Sequence, residues 1–280
     1  RIVKIGEIIS VPGEGCRVVD ADGLLVDPGL VDVHVHFREP GFTGKEDIAT
    51  GAAAAARGGY TTVVMMANTK PPIDNGDTLG YVTKKGAGTG IHVFSCANVT
   101  RGMKGGELTP MEELAGLGAV GFTDDGVPLL DEGRVRAAME RAAALDKPIS
   151  FHEEDSRLIS DNGINRGKAG AYFGIGGSPR EAEIVLVERD LGLALETGAC
   201  INIQHISARE SVELVRRAKR QGGRIHAEAT PHHFTLTEEA AIRYGTLAKM
   251  NPPLREEADR QAIIDGLADG TIDIIATDHA

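Results

Sequence analysis

The chain has 280 residues, 41% hydrophobic and 25% charged, which is enough for one large domain with a packed core. A net charge of -11 and a pI near 5.3 exclude the electrostatic profile of a protein that binds nucleic acid or an anionic membrane. No apolar run reaches the roughly 18 residues of a membrane span, and the first residues carry no signal-peptide pattern.

Taken in order, residues 1–27 stand apart. "RIVKIGEI" and "RVVDADGLLVDPG" read as short strand-and-turn pieces of a small β-domain. Residues 28–280 then alternate apolar, β-rich runs with helical patterns. Strands are expected at Leu30–His36, Thr61–Asn68, Ile91–Val99, Ala119–Thr123, Ile149–His152, Cys200–Ile206, Arg224–Ala229 and Ile272–Thr277. Helices are expected between them at Glu46–Arg57, Leu79–Lys85, Pro110–Leu117, Asp131–Leu145, Arg180–Thr197, Ala208–Gln221 and Glu256–Leu267. Glycines close several of these, as in "RGG" at 57–59 and "QGG" at 221–223.

Apolar strands separated by helices predict a parallel sheet covered by helices, and eight such units predict an α/β fold of the (β/α)8 barrel type. The alternative is an open doubly wound sheet, but no GxGxxG or GxxxxGK[ST] follows the first strand. The chain does not begin with Met and stops within a strand pattern, "TIDIIATDHA". It reads as a piece of a longer protein that lacks its last barrel helix. Cys16, Cys96 and Cys200 are widely spaced and odd in number, which suits reduced thiols in a cytoplasmic protein.

In such a barrel the chemistry gathers where the strands end. The first strand ends in His34 and His36, which face one side because they are two residues apart, and Arg38 follows. The second ends at Asn68, the fourth at Asp124 and Asp125, the fifth at His152, the sixth at His205 and the eighth at Asp278. Any one of these alone reads better as structure: a lone His is usually hydrogen-bonded packing, and "TDDG" is good turn chemistry. His92 and His226 lie near strand starts and read as structural. So do the histidines of "TPHH" at 230–233. Together, four histidines and two or more carboxylates exceed one tetrahedral site and suit two divalent ions, Zn²⁺ by ligand type, that share a carboxylate. Such ions lower the pKa of a shared water to about 7, giving a bridging hydroxide at neutral pH.

With these residues in hand, the sequence resembles the dihydroorotase family of the amidohydrolase superfamily, in its longer bacterial form. The resemblance rests on "DPGLVDVHVHFREPG", "GFTDDG", "HEED", "QHIS", "KMNPPLR" and "ATDHA" and covers nearly the whole chain. It implies reversible cyclisation of N-carbamoyl-L-aspartate to L-dihydroorotate, a step of pyrimidine synthesis. By that resemblance His34, His36 and Asp278 hold the first metal, and His152 and His205 the second. Asp125 bridges the two in place of the carboxylated lysine of many relatives, with Asp124 the alternative. Asp278 is the catalytic acid/base that moves the water's proton to the leaving nitrogen. His36, Arg38, Asn68 and Asn251 contact substrate, Arg38 and Asn68 through its carboxylate. Two departures stand out: Ala67 replaces the usual Pro before the asparagine, and the chain stops before a further substrate-contacting His expected beyond Ala280. The resemblance also implies a homodimer or a complex with an aspartate transcarbamoylase. Hydantoinase, dihydropyrimidinase and allantoinase are the alternative activities, and a non-catalytic dihydroorotase-like subunit is the alternative outside enzymes.

Overall fold

The computed structural model describes residues 4–7 and 15–280. Eight parallel strands form its centre: β1 (Leu30–Val35), β2 (Tyr60–Met65), β3 (His92–Ser95), β4 (Phe122–Thr123), β5 (Ile149–Phe151), β6 (Ile201–Ile203), β7 (Ile225–Ala229) and β8 (Ile274–Ile275). They pair in sequence order, β1 to β3 in one ladder and β4 to β8 in another. Two single bridges join the ladders, Ala97 with Phe122 and Val35 with His279, so the sheet closes on itself. At the second junction the His36 N–H donates to the His279 carbonyl at 2.7 Å, and the Asp278 N–H donates to the His34 carbonyl at 3.1 Å. The expected α/β barrel is therefore the fold found.

Ten helices accompany the strands: α1 (Ile48–Arg57), α2 (Gly76–Gly86), α3 (Met111–Gly116), α4 (Glu132–Ala144), α5 (Lys168–Phe173), α6 (Glu181–Thr197), α7 (Arg209–Arg220), α8 (Pro231–Thr235), α9 (Glu238–Tyr244) and α10 (Glu257–Ala268). Helices α1, α2 and α4 start on side-chain caps legible in the sequence. Asp47 accepts from the Thr50 N–H, Asn75 from Thr78 and Asp131 from Arg134. The α6 helix ends on Gly198, whose φ of 70° suits a residue without a Cβ. The main core lies between strands and helices, with Val63, Met65, Leu79, Phe122, Met139 and Ile201 fully buried.

Several expected strands run longer than the ladders. The apolar pattern continues to Ile206 and Thr277, but β6 ends at Ile203 and β8 at Ile275. An apolar run reports burial, whereas a ladder needs a paired neighbour. Beyond the last pair the chain stays buried but turns to aim side chains into the barrel mouth. Helices α5, α8 and α9 were not expected. The "TPHH" stretch forms α8, with Pro231 in its first turn. Helices α5 and α9, with Ile164, Ala248 and Leu254, make a second small core on the mouth side of the barrel. The strand pieces expected within 1–27 lie partly outside the described residues. Among described residues 4–7 and 15–27 no strand forms, because no neighbouring segment pairs with them.

Candidate metal centre

The mouth is built from strand ends. His34 closes β1 from inside and is fully buried. Its Nδ1–H donates to Glu228 Oε2 of β7 at 2.9 Å, which turns Nε2 towards the mouth. Asn202 of β6 donates in turn to Glu228 Oε1 at 2.5 Å. His36, one step beyond the strand, has Nδ1 3.0 Å from Asn68 Oδ1, so its Nε2 also faces inward. The two Nε2 atoms are 3.3 Å apart. Asp278 Oδ1 lies 3.3 Å from the first and 3.0 Å from the second.

Across the mouth, His152 Nδ1 and His205 Nε2 are 3.0 Å apart. The other nitrogen of His152 meets Glu154 at 3.2 Å. Asp125 stands between the two histidine pairs. Its Oδ1 is 3.5 Å from His34 Nε2, 3.8 Å from His152 Nδ1 and 4.0 Å from His205 Nε2, and its Oδ2 is 3.4 Å from His36 Nε2. Two triads with ligand spacing result, His34–His36–Asp125 and Asp125–His152–His205, sharing one carboxylate.

Asp124 faces the other way. It accepts from the Val99 N–H at 2.9 Å and from the Thr100 N–H and hydroxyl, so it braces the loop after β3. One step along a strand reverses the side, and that reversal separates the two aspartates.

The electrostatics suit a cation. Burial opposes charge on His34, yet Glu228 and Asp125 outweigh it and raise its pKa to about 10. His205, buried and beside His152, is held well below the ordinary histidine range and keeps its lone pair. Burial opposes ionisation of Asp278, but the His36 contact and the surrounding imidazoles hold its pKa well below the usual carboxylate range. Asp125 Oδ1 is buried with no hydrogen-bond partner. Two imidazole Nε2 atoms 3.3 Å apart, each oriented by a partner on its far side, face one space, where a divalent ion would displace the proton that Glu228 and Asp125 favour on His34. This donor set of imidazoles and a shared carboxylate fits divalent metal.

The mouth opens into a cleft of 420 Å³ that reaches Arg38 and Asn251. The Arg38 Nε is buried without a partner, although the residue as a whole is only half-buried. Burial lowers the Arg38 pKa, with Asp125 and Asp278 acting against that. Asn251 is exposed at the rim. Asn68 is already engaged: its Oδ1 faces His36, and its Nδ2 donates to Asp125 Oδ2 at 3.0 Å. Of the five described non-glycine residues with positive φ, three are Arg38, His205 and Asp278. Each such residue costs about 1–3 kcal/mol, a strain that clusters where side chains must be aimed.

The structure adds Glu228, Asn202, Glu154 and the cleft residues Lys249 and Asn162 to the expected site, and it places His232, expected to be structural, in the cleft lining. A signal existed for Glu228 and Asn202, since "IHAEA" and "INI" carry polar residues inside apolar strands. His232 lines the cleft, whereas its neighbour His233 is buried between Thr230 and the Pro252 carbonyl. His226 pairs with Asp273 at 2.7 Å near the strand starts, and His92 is exposed.

The barrel is similar to those of solved hydantoinases. An L-hydantoinase (dihydropyrimidinase) from Arthrobacter aurescens superposes with a TM-score of 0.80 at 26% identity, over 93% of this chain and 60% of that one. A D-hydantoinase superposes at 0.79 with 22% identity, a likeness of fold. A family model described as dihydro-orotase-like matches residues 23–211. Dihydroorotases of Clostridioides difficile and Clostridium acetobutylicum are 55% and 51% identical across all of this chain. The chain belongs to the dihydroorotase family. It spans 66% of the length of those relatives.

Proposed function

We propose that the chain is the catalytic barrel of a dihydroorotase, interconverting N-carbamoyl-L-aspartate and L-dihydroorotate. The observation that carries this reading is Asp125, shared by two histidine pairs within reach of Asp278 and facing a cleft that holds Arg38. His34, His36 and Asp278 would hold one divalent ion and His152 and His205 the other, with Asp125 common to both. Zn²⁺ suits the ligands. A pair of such ions supplies a water of lowered pKa and polarises the ring carbonyl.

The chain's own residues do the rest. Arg38 offers a planar guanidinium to the substrate's carboxylate, a contact that only carboxylate-bearing rings can make. Asn251 borders the ring at the cleft rim. Asn68 holds His36 and Asp125 in place and lines the same cleft as Arg38, where the family resemblance gives it the substrate's carboxylate as well. Asp278 takes the proton from the attacking water and gives it to the ring nitrogen as the amide bond breaks. Cyclisation runs the same steps backwards.

The remaining parts of the reading rest on the family. They are a barrel domain of residues 28–280 beside a small β-domain containing 1–27, a cytoplasmic setting, and a homodimer or a complex with an aspartate transcarbamoylase. Light scattering of the full-length protein with and without the transcarbamoylase reads the association. The decisive test is turnover of dihydroorotate, hydantoin, dihydrouracil and allantoin by metal-loaded full-length protein. Dihydroorotate is expected to dominate; a preference for a carboxylate-free ring would move the assignment to another cyclic amidohydrolase.

A further inference from the structure

Glu39 follows Arg38 in the loop after β1, and the chemistry above makes no use of it. Its side chain is turned away from the cleft and buried, with the residue 3% exposed. Three donors meet its carboxylate. The Tyr81 hydroxyl donates at 2.7 Å and the Lys85 ammonium also donates, both from α2. The Ile48 N–H donates at 3.1 Å from the first turn of α1, where a helix favours an anion. On the other side of Arg38, Phe37 is 1% exposed and packs against Gly51 of α1 so closely that a Cβ there would lie 2.3 Å from its ring.

Arg38 is thus bracketed by two buried anchors, one apolar and one ionic. Between them its φ is 57°, a conformation an arginine does not adopt unaided. The loop is pinned again just beyond, where the Phe42 N–H donates to the Arg38 carbonyl and the Lys70 N–H to the Pro40 carbonyl, both at 2.9 Å. These bonds would survive a change at Glu39. The ionic anchor adds a hold from α1 and α2 on the residue after Arg38, beyond the backbone bond that the Arg38 carbonyl already makes to Phe42.

We infer that Glu39 is a positioning residue for Arg38, and that Tyr81 and Lys85, on the outer surface of the barrel, thereby help set affinity for a carboxylate-bearing substrate. The inference rests on the role of Arg38 given under Proposed function. It is tested by steady-state kinetics with dihydroorotate on metal-loaded full-length protein. The variants are Arg38→Met, Glu39→Gln, the two combined, and the pair Tyr81→Phe with Lys85→Met in both arginine backgrounds. Glutamine keeps the shape but turns an amide donor towards donors. The α2 pair loosens the same anchor through half-exposed residues and guards against a folding failure at position 39. Glu39→Gln and the α2 pair should each raise KM about ten-fold with kcat within two- to three-fold, at unchanged metal content. In the Arg38→Met background neither should add a loss, because both act through the missing guanidinium. Losses that multiply in that background, or a normal KM in both anchor variants while Arg38→Met raises it, would overturn the inference alone. A normal KM for Arg38→Met would instead remove the role of Arg38 on which it stands.

Discussion

Among single residues, Asp125 and Asp124 show how much depends on which way a side chain faces. Asp125→Ala removes the group common to both triads, so full-length protein should lose most of its bound metal on elemental analysis. Asp124→Ala should keep its metal and lose stability, because the Val99 and Thr100 amides behind it are left without an acceptor. Glu228 acts one layer back. It fixes the ring of His34 and raises its basicity, so Glu228→Gln should weaken metal binding about 10- to 100-fold in competition with a chelator. Asp278→Asn should retain metal through the histidines and abolish turnover by removing the proton carrier. Much of this was legible in the sequence. Histidines and aspartates at the ends of apolar runs mark a barrel mouth, and the parity of a strand favours one aspartate of a pair. Glu228 and Asn202 stand out as polar residues inside apolar strands, but their role becomes legible only once the cross-barrel partner is known. The sequence points to Asn68 as a carboxylate contact, whereas its bonds to His36 and Asp125 cross between strands and become visible only in the fold.

At the scale of elements, apolar spacing marks the helices that cover the strands, and α1, α2 and α4 carry a capping side chain at the start as well. The short helices α5, α8 and α9 carry no such pattern and owe their form to tertiary contacts. "KAGAYF" sits between glycines, and α8 is a five-residue turn after a strand. Arg255 shows what holds this rim. It is 3% exposed and donates to Ser207 Oγ at 3.0 Å, Asn165 Oδ1 at 2.8 Å and the Ser178 carbonyl at 2.9 Å, joining three loops. Arg255→Met should cost about 3 kcal/mol, seen as a lower denaturation midpoint, because those acceptors are left buried and unpaired. The α1 helix offers a sharper case. Gly51→Ala gains about 1 kcal/mol of helix propensity but drives a methyl group into the buried Phe37 ring, at a cost of about 1–3 kcal/mol. With the ring unable to retreat, the clash should win and the thermal midpoint should fall.

For the whole molecule, the alternation of strands and helices foretold a closed parallel barrel, and the order of pairing agrees with it. What alternation could not convey is how the two ladders meet. The junction of β8 with β1 rests on two backbone bonds, from the His36 and Asp278 amides, and both residues also face the candidate metal centre. A ligand that ties the side chains of His34, His36 and Asp278 together would clamp the backbone that closes the cylinder. Filling the mouth and fastening the seam would then be one equilibrium rather than two. Hydrogen exchange followed by mass spectrometry can read this directly. Zinc added to metal-stripped protein should slow exchange of the Asp278 and His36 amides far more than those in the middle of the β5–β6 ladder. It should also raise the melting temperature, by an amount that grows with free zinc as mass action requires.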